Sequence, residues 1–63
     1  MYRIYGKFKT QKKFKPMNLS KGTQVTNLIY ASMLTPEEKE KFMAEMATGI
    51  NPGWQFEARQ IIV

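Results

Sequence analysis

Cysteine, histidine and aspartate do not occur anywhere in the 63 residues. Without cysteine there are no disulfide staples, no thiolate zinc sites and no thiol chemistry. Without histidine and aspartate, the common nucleophile–base triads, the imidazole acid–base pairs and the usual zinc and calcium ligand sets cannot be assembled. The four glycines are scattered at Gly6, Gly22, Gly49 and Gly53, so there is no phosphate-cradling loop. Long apolar stretches are missing as well. The longest uncharged apolar run, Leu28 to Ala31, is far short of a membrane span, and the segment Met1 to Lys7 lacks the apolar core of a secretory signal. A cytoplasmic location with no membrane partner and no cofactor is expected, and a non-enzymatic role.

A chain of this size folds as one domain, residues 1–63, with a single thin core and no room for a deep cleft. At 43% apolar residues, including eight aromatics, the chain is too rich for a disordered basic tail. Met17, Met33, Met43 and Met46 read as flexible filler for a small irregular core.

The charge is unevenly placed. Residues 1–21 carry Arg3, Lys7, Lys9, Lys12, Lys13, Lys15 and Lys21 and no acid, whereas the other 42 residues hold three cations against five glutamates. The formal +5 therefore belongs to a polarised molecule that attracts anionic partners through its summed field.

From Tyr2 to Lys9 the pattern alternates, with Tyr2, Ile4, Gly6 and Phe8 on one side and Arg3, Tyr5, Lys7 and Lys9 on the other, as in a half-buried strand. Thr10-Gln11-Lys12 suits a hairpin loop. Lys13 to Met17 then returns as a second strand with Phe14 inward and Lys13 and Lys15 outward, placing two rows of lysine on one face. Pro16 cannot donate to a ladder and marks a sheet edge or a strand end. Gly6, inside a strand, clears room for Trp54 or another large ring, or else marks a bulge. Asn18 to Thr23 is a connection.

The stretch Val25 to Leu34 is read as a third strand from its β-branched and aromatic residues, although Val25, Leu28, Ile29 and Met33 also fit a helical stripe. Thr35-Pro36-Glu37-Glu38 then places a hydroxyl at the N-cap, proline at the first helical position and a carboxylate at the third. A helix is expected from Pro36 to about Thr48, with Phe42, Met43 and Met46 inward, a Glu37–Lys41 pair toward solvent and Gly49 as a left-handed stop. Asn51-Pro52-Gly53 is a turn, and Trp54 to Arg59 alternates as a last strand that Ile61, Ile62 and Val63 continue as an apolar end. The order β-β-β-α-β predicts an α+β fold, a small antiparallel sheet with one helix packed on one face. The predicted core is Ile4, Phe8, Phe14, Ile29, Phe42, Met46, Trp54 and Phe56.

The Tyr-x-Ile-Tyr-x-x-Phe start, Asn27-Leu28-Ile29-Tyr30-Ala31, the acidic helix opening and the ending Asn51-Pro52-Gly53-Trp54-Gln55-Phe56-Glu57-Ala58-Arg59 together resemble small uncharacterised proteins of bacteriophages and mobile elements of gut bacteria. That resemblance implies such an origin and a compact α+β fold. It carries no activity to any position.

Function is expected to reside on the outer face of the first hairpin, with Arg3, Tyr5, Lys7, Lys9, Lys13 and Lys15 as the candidate partner-binding residues. An acidic protein would be steered there by charge, as a small phage-encoded regulator would require. The alternative partner is nucleic acid, whose phosphates would meet the cations while Tyr5 stacks on a base. A further alternative is a histidine-free ribonuclease using Glu57, Arg59, Tyr5 and lysines, because placed cations stabilise phosphorane-like charge. The bland reading is that the lysines keep a small sheet soluble and monomeric. Trp54 reads as an anchor of the fold more than an interface hot spot. Oligomeric state is open, since an edge strand or the Ile61 to Val63 end could pair with a second copy.

Overall fold

The computed structural model describes residues 1–48 and 52–62. Gly49 as helix stop, Asn51 in the turn and Val63 in the apolar end lie outside the described residues. Among the described residues the fold is α+β, a curled antiparallel sheet with a single α-helix.

Strand β1 (Tyr2–Phe8) is the spine. Along one edge it pairs over its whole length with β5 (Trp54–Gln60), from Tyr2↔Gln60 to Phe8↔Trp54. Its other edge is shared end to end. Strand β2 (Lys15–Asn18) takes Tyr5 and Gly6, and β4 (Met33–Leu34) takes Tyr2 and Arg3. Strand β3 (Thr23–Gln24) pairs with the far side of β2. Pro16 is therefore not at a sheet edge; it lies at the end of the β2–β3 ladder, where Val25 N–H donates to Pro16 O at 2.8 Å and proline has no N–H to return the bond.

The first hairpin forms with a register one residue away from the expected one. The loop is longer than Thr10-Gln11-Lys12, running over residues 9–14, and Gly6 faces Lys15 while Tyr5 faces Pro16. A slip of one residue turns every side chain of a strand over. Met17 thus enters the core at 4% exposure. Phe14 lies beside Lys7, whose Nζ is 5.6 Å from the ring centroid, and Lys15 shares the face of Gly6 instead of that of Lys7. Gly6 supplies the reason. A Cβ there would stand 3.0 Å from Met17 Sδ and 3.1 Å from Phe56 Cδ1, so the glycine is the hole that Met17 and the Phe56 ring fill.

Where β2 leaves β1, two glutamines close the gap. Gln11 and Gln24 exchange amide hydrogen bonds at 2.9 and 2.8 Å; Gln24 Nε2 also donates to Gly6 O, and Gln11 Oε1 accepts from Phe8 N–H. The pair carries the polar connection between strand and loop that a longer ladder would have made.

Val25 to Leu34 is not a strand apart from the two residues of β4. Asn27 caps a 3₁₀ turn, Leu28–Tyr30, by accepting from Ile29 N–H at 3.0 Å, and an Asx cap of this kind competes with sheet pairing. Ile29 is 75% exposed and does not belong to the core. Ser32 then locks the segment down: its N–H donates to Met17 O, and its hydroxyl accepts from Leu19 N–H.

Helix α1 (Pro36–Met46) begins as the sequence predicts and ends two residues earlier than Thr48. Thr35 Oγ1 accepts from Glu38 N–H at 3.2 Å and the Glu38 carboxylate accepts from Thr35 N–H at 2.9 Å, a complete capping box. Those bonds hold the Glu38 carboxyl below its ordinary pKa. The Glu37–Lys41 pair is not formed among the described residues. Instead Lys39 reaches Glu40 at 2.8 Å and places its ammonium 4.8 Å from the Tyr2 ring centroid. The hydrogen bond between them raises the Lys39 pKa and lowers that of Glu40. The helix meets the sheet through Phe42, edge-on to Phe56 at 5.3 Å. Phe8 packs edge-on against its cross-strand partner Trp54 at 5.6 Å, and Ile4 is fully enclosed beneath. Phe8, Phe42, Met46, Trp54 and Phe56 are half-buried.

Candidate partner-binding face

The face of the sheet opposite α1 is built from alternate residues of β1 and β5. The pairings Arg3↔Arg59, Tyr5↔Glu57 and Lys7↔Gln55 put those six side chains on one surface. Pro16 of β2 and Met33 of β4 extend it across β1, and Phe14 flanks it at Lys7.

Its centre is a stacked cluster. The Arg59 guanidinium lies 4.1 Å from the centroid of the Tyr5 ring and is held by Glu57, whose Oε2 accepts from Arg59 Nε at 2.9 Å and lies 2.8 Å from Nη2. Both members of the pair are about half exposed, so the fork positions the guanidinium more than it stabilises the fold. Arg3 lies next to Arg59 across the ladder, and its Nε is buried without an acceptor.

Of the six residues expected here, Arg3, Tyr5 and Lys7 are brought together. Lys15 is on the opposite face. Lys9 and Lys13 lie in the β1–β2 connection, with Lys9 tied by its N–H to Gly53 O at 2.7 Å and its ammonium 5.9 Å from the Phe8 ring. The double lysine row is therefore not present as one stripe. Phe14, Arg59 and Met33 join the face unexpectedly. Alternation in Trp54 to Arg59 put Arg59 on the polar side of its own strand, but only the β1–β5 register shows that this side adjoins Tyr5.

A second feature adjoins this surface. Leu28, Ile29, Tyr30 and Met33 are 44%, 75%, 60% and 57% exposed, a concentration of apolar side chains in the segment leading into β4. Asn18 Nδ2 donates to Tyr30 O and fixes that segment against the end of β2. Met33 lies opposite Arg3, so the apolar segment runs into the cationic face.

Among the described residues no group of three or more carboxylates could hold a metal ion, and no helix is long and apolar enough to cross a membrane. No protein-family model, curated protein or solved structure matches the chain.

Proposed function

We propose that this protein is a small non-enzymatic binding module that docks an acidic protein through the outer face of β1 and β5, with Arg3, Tyr5, Lys7 and Arg59 at its centre. The observation that carries the reading is the set of exposed apolar residues Ile29, Tyr30 and Met33, of which Met33 lies opposite Arg3. Aromatic residues, methionine and arginine are the side chains enriched at protein interfaces, and a surface that displays them together beside fixed cations suits a partner with apolar anchors ringed by carboxylates. Charge sets how fast such a partner arrives, and the apolar contacts how long it stays. A carboxylate drawing Arg3 outward would also supply the acceptor that its Nε lacks. A phage or mobile-element origin, and a role as a cytoplasmic regulator acting on a bacterial protein, are part of this proposal.

Capture from bacterial lysate tests this with three proteins side by side: wild type, Arg3→Gln/Lys7→Gln, and Ile29→Ser/Met33→Ser. An acidic protein retained by wild type and lost by both variants is expected. A captured protein that both variants hold as tightly as wild type would refute the surface.

One observation favours a second reading. Tyr5 and Phe14 are both on the outer side with Arg3, Lys7 and Arg59, and aromatic rings between cations form a platform for single-stranded nucleic acid. Low-salt titration with labelled oligonucleotides decides between the two. Saturable binding that weakens with salt and is lost in Phe14→Ala selects nucleic acid; cleavage of the RNA, lost in Glu57→Gln, would select a ribonuclease assembled from Tyr5, Glu57 and Arg59.

A further inference from the structure

The opposite side of the molecule has a different chemistry. Between α1 and the sheet lies a groove of about 350 Å³, at the lower end of the range for small-molecule sites, lined in part by Met17, Phe42, Glu45, Met46, Trp54 and Phe56. None of the ten lysines and arginines lines it, although the protein carries a formal +5. Among the described residues its single charged lining residue is Glu45. Glu38 is bound in the capping box, Glu40 to Lys39 and Glu57 to Arg59, whereas the exposed Glu45 carboxylate, like that of Glu37 elsewhere on the helix, has no hydrogen-bond or ion-pair partner among the described residues.

We infer that this groove binds a small organic cation of the alkylated-ammonium class. Three aromatic rings meet here, Trp54 and Phe56 nearly parallel at 6.0 Å between centroids and Phe42 edge-on to Phe56 at 5.3 Å. Ring faces are electron-rich and attract a cation, tryptophan most strongly, and a quaternary or alkylated ammonium adds methyl groups that bury against the same walls. The polarisable thioethers of Met17 and Met46 adapt to such a shape better than branched side chains do. An unpaired carboxylate at the edge of the groove supplies the countercharge. A neutral apolar molecule would leave it unanswered, and an anion would meet repulsion. The site is independent of the anion-attracting face across the sheet.

Trp54 is the sole tryptophan, so its indole N–H resonance and its fluorescence both report from inside the groove. Choline is the probe, with its neutral carbon isostere dimethylbutanol as control and a trimethyllysine peptide as the side-chain form of the same group. Choline is expected to shift the Trp54 indole resonance saturably, with a Kd on the order of 1 mM. Dimethylbutanol and the Glu45→Gln variant should each bind about tenfold more weakly, the variant keeping its far-ultraviolet circular dichroism. Phe42→Leu, which keeps an apolar wall but removes a ring, should weaken choline while leaving dimethylbutanol unchanged. Tighter binding of the peptide than of choline would support the site and assign its source to a modified side chain. Equal affinity for choline and dimethylbutanol, or no shift with either, would overturn the inference.

Discussion

Replacing Gly6 with alanine tests the packing that sets the hairpin register. Gly6 has no positive φ, so alanine meets no backbone strain, and in a strand interior it would by itself gain about 0.5–1 kcal/mol from reduced freedom of the unfolded chain. The new methyl, however, would stand 3.0 Å from Met17 Sδ, 3.1 Å from Met17 Cγ and 3.1 Å from Phe56 Cδ1, all inside ordinary contact distance. Neither neighbour yields freely: Met17 is almost wholly enclosed and Phe56 is braced by Phe42. Overpacking of this kind costs about 1–3 kcal/mol, and the upper part of that range applies where both neighbours are held, so the net loss is about 1–2 kcal/mol. A domain this small commonly has only about 3–9 kcal/mol in total. In urea, with a slope of about 1 kcal/mol/M, the midpoint should fall by about 1–2 M. The same substitution in a Met17→Ala background should cost less than in wild type, because two of the three clashing atoms are gone and only Phe56 Cδ1 remains, giving a coupling of about 1 kcal/mol. An unchanged or higher midpoint for Gly6→Ala, or strict additivity with Met17→Ala, would show that the glycine does not select the register.

Thr35→Ala should cost about 1 kcal/mol in urea unfolding through loss of the cap. Because the folded Glu38 pKa is depressed, its contribution is present above the unfolded pKa and disappears as pH falls through the folded value. Glu38→Gln should therefore flatten that part of the acid limb of a stability–pH profile, and an unchanged limb would remove the carboxylate from the capping box. Gln24→Ala breaks the reciprocal amide pair and strips Gly6 O of a donor, so it should lower stability by about 1–3 kcal/mol, against at most about 0.5 kcal/mol for the exposed Gln55→Ala. Ile29→Ser should change stability by no more than about 0.5 kcal/mol, and a loss typical of core truncation would show that the 3₁₀ turn is buried in solution.

The helix start was readable because its signal is local: Thr35, Pro36 and Glu38 satisfy one another within four residues. Strands β1 and β5 were readable from alternation, and so were Arg3, Tyr5 and Lys7 as a shared face. The register of β2 was not, because it turns on whether Met17 or Phe14 fits beside Gly6, a contact between residues far apart in sequence. Val25 to Leu34 misled for a related reason. Its β-branched and aromatic residues have strand propensity, but β1 has only a short free edge beyond β2, so the segment turns at Asn27 and contributes just Met33 and Leu34 to the sheet. Arg59 and Phe14 entered the site through pairings that no single segment contains.

The sharing of β1 between an early and a late strand has a consequence for how the molecule assembles. Phe8 waits for Trp54 and Tyr2 for Gln60, so the longest ladder closes only after β5 has been synthesised. Until then the first hairpin is a half-built wall with one naked rim, and a naked rim invites pairing with other nascent chains. Residues 1–21 carry seven cations and no acid, and like charges of that density would hold such incomplete copies apart, whichever face each lysine finally occupies.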